Sequence, residues 1–205
     1  MGKVRVSLRA KQKEFTRERF LTAARQIFME RGYVSVTVDD IADGAGASRA
    51  TFYAYFRSKT MVALALLDEV EARAVASYAE LDQIMTGPAD LREARMREWL
   101  RHGLKSWRKW QKYSLAMWQA ATMEPEIGDR VLASSQKYVA AMAETFKNVN
   151  PKDRKRVQER AMMLEWMLAR LFYLAAHHDL PVNEEAMVNF MAELWVSQIA
   201  PPARR

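Results

Sequence analysis

Apolar residues recur at helical spacing along nearly the whole chain, and nowhere do they alternate over the length of a strand. Over residues 15–32, Phe20, Ala23, Ala24, Ile27 and Phe28 form an i, i+3, i+4, i+7, i+8 stripe, with Thr16 as a cap and Gly32 as the stop. Val38, Ile41, Ala42 and Ala45 predict a short second helix with Thr37 as N-cap and Asp39 and Asp40 in its first turn. Gly44 and Gly46 end it, and Ser48 caps a third helix through Arg49, Ala50, Thr51, Phe52 and Tyr53. A long helix follows from Ser58 to about Met85, broken by Thr86-Gly87-Pro88. The remainder predicts helices over 89–110, 111–123, 126–149 and 151–178, with a last one capped by Asn183 and ended by Ala200-Pro201-Pro202. The expected fold class is all-α.

Charge singles out one end of this array. The chain of 205 residues carries a net +7, and the first 59 residues hold twelve Lys and Arg against six acids. Six of the seven net positive charges therefore lie there, the footprint expected of a surface that meets a polyanion. An anionic membrane is a weaker match, because the region lacks a long basic amphipathic helix. No apolar run reaches the length needed to span a bilayer, and the basic N-terminus has no apolar core of a secretory signal. The absence of cysteine fits a reducing compartment and excludes disulfides and thiolate metal sites. The expected location is the cytoplasm.

Two short helices around a glycine-containing turn, at the basic end, predict a helix-turn-helix whose second helix enters a DNA major groove. The run over 42–59, A-x-x-A-G-A-S-x-x-T-F-Y-x-Y-F-x-S-K, together with Gly32-Tyr33 and the following V-x-x-I-A, resembles the DNA-binding signature of TetR-type transcriptional regulators. The likeness covers about residues 15–65. It implies an N-terminal three-helix DNA-binding domain over 15–60, preceded by a basic arm over 1–14. A helical effector-binding and dimerisation domain over 61–200 and a tail over 201–205 would complete the chain.

Within the signature, Ser48, Arg49 and Thr51 start the second helix of the motif. Arg49 suits either a bidentate contact with guanine O6/N7 or a phosphate. Thr37 and Ser48 can offer a hydroxyl or backbone N–H to phosphate, or act only as caps. The resemblance adds Tyr53 and Tyr55 as DNA contacts and Lys59 as a phosphate ligand. Phe52 and Phe56 read as core. Arg9, Lys11 and Lys13 can lie along phosphates or a minor groove.

All six Trp and most of the thirteen Met lie beyond the signature. Any single one reads as core. Together, Trp99, Gly103 and Trp107 on one helical face, with Trp118, Met163, Trp166 and Met167 from other helices, suggest an apolar pocket. Gln119, Thr122, Glu165, Arg170 and Tyr173 are its candidate polar anchors. The resemblance implies an effector in this half, expected here to be an apolar or aromatic small molecule. Residues 161–176 are apolar nearly all round, and Met187, Phe190, Met191, Leu194 and Trp195 broaden the face of the last helix. Those two helices are buried in a monomer or shared with a second subunit; the resemblance favours a homodimer through about 152–178 and 183–199.

Catalysis finds little support. No glycine loop has dinucleotide or P-loop spacing, and neither a Ser/His/acid nor an H-E-x-x-H pattern is present. His177-His178-Asp179 is too local to form a metal site, because adjacent side chains on a helix diverge. No cofactor is expected. The reading is a ligand-responsive repressor that binds a pseudo-palindromic operator as a dimer. Its rivals are an activator or partner-controlled regulator, and a helical small-molecule-binding module without specific DNA recognition.

Overall fold

The computed structural model describes residues 8–200. Among them are ten α-helices and one 3-10 turn, with no strand. The helices are α1 (Leu8–Arg31), α2 (Val38–Gly44), α3 (Arg49–Tyr53), α4 (Lys59–Thr86), α5 (Arg92–Lys109), α6 (Gln111–Met123), α7 (Pro125–Ala140), α8 (Ala143–Lys147), α9 (Arg154–His177) and α10 (Glu184–Ile199). The arm expected over 1–14 falls partly outside the described residues, as does the tail over 201–205. From Leu8 onward the arm is already α1. Thr16 therefore does not cap a helix; its hydroxyl donates back to the Gln12 carbonyl at 3.0 Å, a bond made inside a helix.

The chain forms two compact units. The first comprises residues up to Glu69 together with Leu115–Asp129. Its core gathers Phe20, Leu21, Ala24 and Phe28 of α1 around Ile41, Ala42, Phe52, Phe56, Val62 and Leu66. A sequence boundary at residue 60 places Leu115–Asp129 in the other half, but Tyr33 holds this segment from both ends. Its backbone N–H donates to Gln119 Oε1 at 3.2 Å, and its hydroxyl to Glu124 Oε1 at 3.3 Å. Gly32, at φ 74°, ends α1 in the left-handed region, and a Cβ there would stand 2.8 Å from Gln119 Oε1.

The second unit holds the end of α4, α5, most of α7, and α8 to α10. Its core runs through Tyr78, Leu81, Met85, Met96, Leu100, Leu104, Phe172, Met191 and a fully buried Trp195. Helices α5, α9 and α10 pack on one another. Gly103 permits the closest approach, because a Cβ on it would lie 2.7 Å from Phe172 Cε2. The single helix expected over 126–149 is instead broken at 141–142. Asp82 explains the break: its carboxylate accepts the Glu144 and Thr145 N–H groups at 3.2 and 2.7 Å, and the Thr145 hydroxyl at 2.6 Å. Glu71 of α4 binds Arg130 and Lys137 of α7, with Ser134 donating to it at 2.8 Å.

Two predictions follow from this packing. Gly103→Ala should destabilise the protein by about 1–3 kcal/mol in urea denaturation, through overpacking against Phe172. The Arg130 hydrogen bond holds the Glu71 carboxyl at about 2, against 4.5 for a free group. Its contribution is thus complete above the unfolded value and drains as pH falls from about 4.5 toward 2. Glu71→Gln should flatten that limb of the stability–pH curve.

Candidate nucleic-acid interface

The reading head is built from short elements held by caps. Thr37 and Asp40 form a reciprocal box at the start of α2: Asp40 N donates to Thr37 Oγ1 at 3.2 Å, and Thr37 N to Asp40 Oδ2 at 2.8 Å. Arg31 closes on the same carboxylate at 2.7 Å, and together these partners hold the Asp40 carboxyl far below the usual range. Gly46 turns the chain at φ 61°. The Arg19 guanidinium of α1 pins this turn by donating to the Ala45 and Gly46 carbonyls. Ser48 then caps α3, accepting the Thr51 N–H at 3.1 Å.

Helix α3 buries one residue completely. Phe52 meets Phe20 edge-on at 5.5 Å between centroids and lies 5.9 Å from Phe56. With that side inward, Ser48, Arg49, Ala50 and Tyr53 are exposed and Thr51 is half-buried. Arg49 donates to Asp39 Oδ2 at 2.6 Å and lies over the Tyr53 ring at 5.6 Å. The guanidinium is thus tethered on the surface beside a ring, and Asp39 favours its charged form. Tyr55 is half-buried against Phe20 at 5.7 Å. Beside it an open groove of about 1130 Å³ is lined by Arg9, Lys11 and Lys13 of α1. The exposed α3 start and this basic groove present donors to an anion, and Arg49 can reach either a phosphate or a base edge.

Lys59 stands apart from the set. Its ammonium donates to the Tyr33 and Val36 carbonyls at 2.9 and 2.8 Å and sits 4.1 Å from the Tyr33 ring centroid. Burial pulls its pKa down. The geometry makes Lys59 a clamp on the loop between α1 and α2. Asp39 and Asp40 stand in the first turn of α2, where the sequence places them, whereas no local pattern announces the role of Arg19.

The seven residues expected to line an apolar pocket have different surroundings. Trp99 and Gly103 line an open groove of about 450 Å³ in the second unit. Trp107 packs edge-on against Phe172 at 6.3 Å. Met163 and Trp166 are exposed on α9, Met167 is half-buried, and Trp118 belongs to the first unit. Among the polar anchors, Gln119 is engaged with Tyr33, Thr122 donates to the Trp118 carbonyl, and Arg170 is exposed over Tyr173. Glu165 alone is buried in the core of the second unit. Among the described residues, no helix is long and apolar enough to cross a membrane.

Lys59→Met should cost about 1–3 kcal/mol of stability, because two carbonyls lose a charged donor. The salt dependence of DNA affinity should not change. A phosphate ligand would instead reduce that slope by about one.

Residues 20–66 match the family described as bacterial regulatory proteins, tetR family. An uncharacterized HTH-type transcriptional regulator of Mycobacterium tuberculosis is 30% identical over 197 residues, covering 95% of this chain and 90% of the relative. The HTH-type transcriptional regulator EthR of Mycolicibacterium smegmatis is 29% identical over 87% of this chain and 83% of its own. The solved structure of Salmonella enterica GusR shares the fold at a TM-score of 0.67, with 17% identity over 94% of this chain and 98% of that one. The chain belongs to the tetR family of bacterial regulatory proteins and is a DNA-binding transcriptional regulator.

Proposed function

We propose that this regulator is a repressor that binds a pseudo-palindromic operator as a homodimer and is released by a hydrophobic or aromatic small molecule. The observation that carries the operator reading is the exposed start of α3, where Arg49 and Tyr53 project together from a helix whose other side is locked by Phe52. Arg49 then reads a guanine edge, Tyr53 and Thr51 contact the backbone, and Ser48 and Thr37 present helix N-termini to phosphates. Met163, Trp166 and Phe190 support the dimer, since they leave large apolar side chains exposed on α9 and α10. Two half-sites about one helical turn apart, ~34–36 Å, suit such a pair.

A ligand releases DNA only through unequal affinity for two conformations. In this reading the effector occupies the second unit, and α4, which begins in the first unit and ends in the second, carries the change.

Selection of genomic fragments with the purified protein at about 150 mM salt, where non-specific phosphate binding is weakened, should recover a few pseudo-palindromic sites. Arg49→Ala should cost about 1–3 kcal/mol of discrimination at one base position while leaving the thermal midpoint unchanged. Recovery of unselected DNA by the ligand-free protein would overturn the operator reading. Trp166→Glu combined with Phe190→Glu should yield monomers in sedimentation and remove operator binding.

A further inference from the structure

Among the buried polar side chains of the second unit, Asp82 and Thr145 satisfy each other, whereas Glu165 is left incompletely matched. Glu165 of α9 is 5% exposed, and its Oε2 has no hydrogen-bond partner. Its one polar neighbour of note is Ser135, whose hydrogen bond favours the ionised form, while burial opposes it and prevails, pushing the pKa up. Around it stand aromatic rings. The Tyr78 and Tyr138 hydroxyls both feel the Glu165 charge. Tyr78 stacks on Tyr138 at 5.5 Å and meets Trp99 and Trp195 edge-on at 5.6 and 6.3 Å. Trp195 Nε1 is a second buried polar atom without a partner.

A buried carboxyl oxygen without a hydrogen-bond partner is costly unless something completes it. Leucine would pack there at no such cost. Aromatic faces around a carboxylate are the surroundings that hold an organic cation: the rings supply cation–π attraction and the carboxylate the counter-charge. Trp99 connects this cluster to the outside. It lines the 450 Å³ groove, donates its Nε1–H to the Ser77 carbonyl at 3.0 Å, and packs on Tyr78. This one side chain thus stands between the groove and Tyr78.

We propose that the second unit binds a hydrophobic organic cation, an amine or quaternary ammonium ion with an apolar body, with its charge against Glu165 and its body among Tyr78, Trp99, Tyr138 and Trp195. The assignment rests on the effector reading given above and adds the charge of the ligand. Trp195 Nε1–H supplies a donor for an oxygen on the same ligand.

Calorimetry on the full-length protein would compare benzyltrimethylammonium with neopentylbenzene, its neutral isostere, for the natural chain and for Glu165→Gln. Glutamine keeps the volume and removes the charge. The natural chain should bind the cation at least about tenfold more tightly than the isostere, and Glu165→Gln should lose that preference. A preference that survives in a folded Glu165→Gln protein overturns the proposal. Binding of the isostere with exclusion of the cation also overturns it, yet leaves an apolar effector standing. If neither molecule binds the natural chain, the charge assignment and the apolar-effector reading fall together.

Discussion

A helix of five residues cannot hold itself in water, because nucleating a turn fixes several dihedrals for very few hydrogen bonds. Helix α3, the element proposed to meet DNA, is of that length, so its shape and aim depend on what surrounds it. Phe52 supplies the anchor through its contacts with Phe20 and Phe56. Ser48 satisfies a donor at the start of the helix, and Arg19 fixes the carbonyls of the preceding turn. These constraints come from α1, the turn and the α3–α4 corner together. The exposed positions Arg49 and Tyr53 are therefore set by a buried residue between them in sequence.

The same logic explains the polar fastening of the first unit. Arg31 and Thr37 share Asp40, and Lys59 closes on the loop carbonyls at 33 and 36. Gln119 and Glu124 take the two polar ends of Tyr33. Each group is matched to a partner of opposite hydrogen-bonding sense, which is what keeps a small domain in one arrangement. The Asp39–Arg49 pair has a different character. Its side chains are 55% and 60% exposed, so it contributes little to stability. It sets the resting direction of the guanidinium, and the phosphate or guanine proposed for Arg49 would compete with that carboxylate.

What the sequence reveals follows the range of the interactions involved. The caps at Thr37, Ser48 and Asn183 lie within three residues of the groups they satisfy, and each stands where the sequence predicts it. Thr16 misleads because a threonine hydroxyl serves a cap or a preceding carbonyl equally well. The break between α7 and α8 is invisible locally, since Asp82, which satisfies the donors of α8, lies more than sixty residues earlier. Lys59 matches a phosphate-binding pattern by position, but its ammonium points at carbonyls brought near only by folding. Met163 and Trp166 share a spacing that fits a pocket and an exposed face alike; periodicity orders residues around a helix without saying what each side meets.

The two units differ most in how completely their buried polar atoms are matched. In the first, the long-range polar contacts close on themselves. In the second, Glu165 Oε2 and Trp195 Nε1 are buried without partners. A core with unsatisfied polar atoms has less free energy separating its resting packing from others, because rearrangement or a guest that satisfies them recovers part of the desolvation cost. A closely fastened first unit and a less fully determined second unit suit the ligand-released regulator proposed above. In that proposal the first unit preserves the aim of Arg49 and Tyr53, whereas the second holds two packings close in energy. Large rings around a buried carboxyl, with Trp99 between them and an open groove, put that looseness where the proposed ligand would use it.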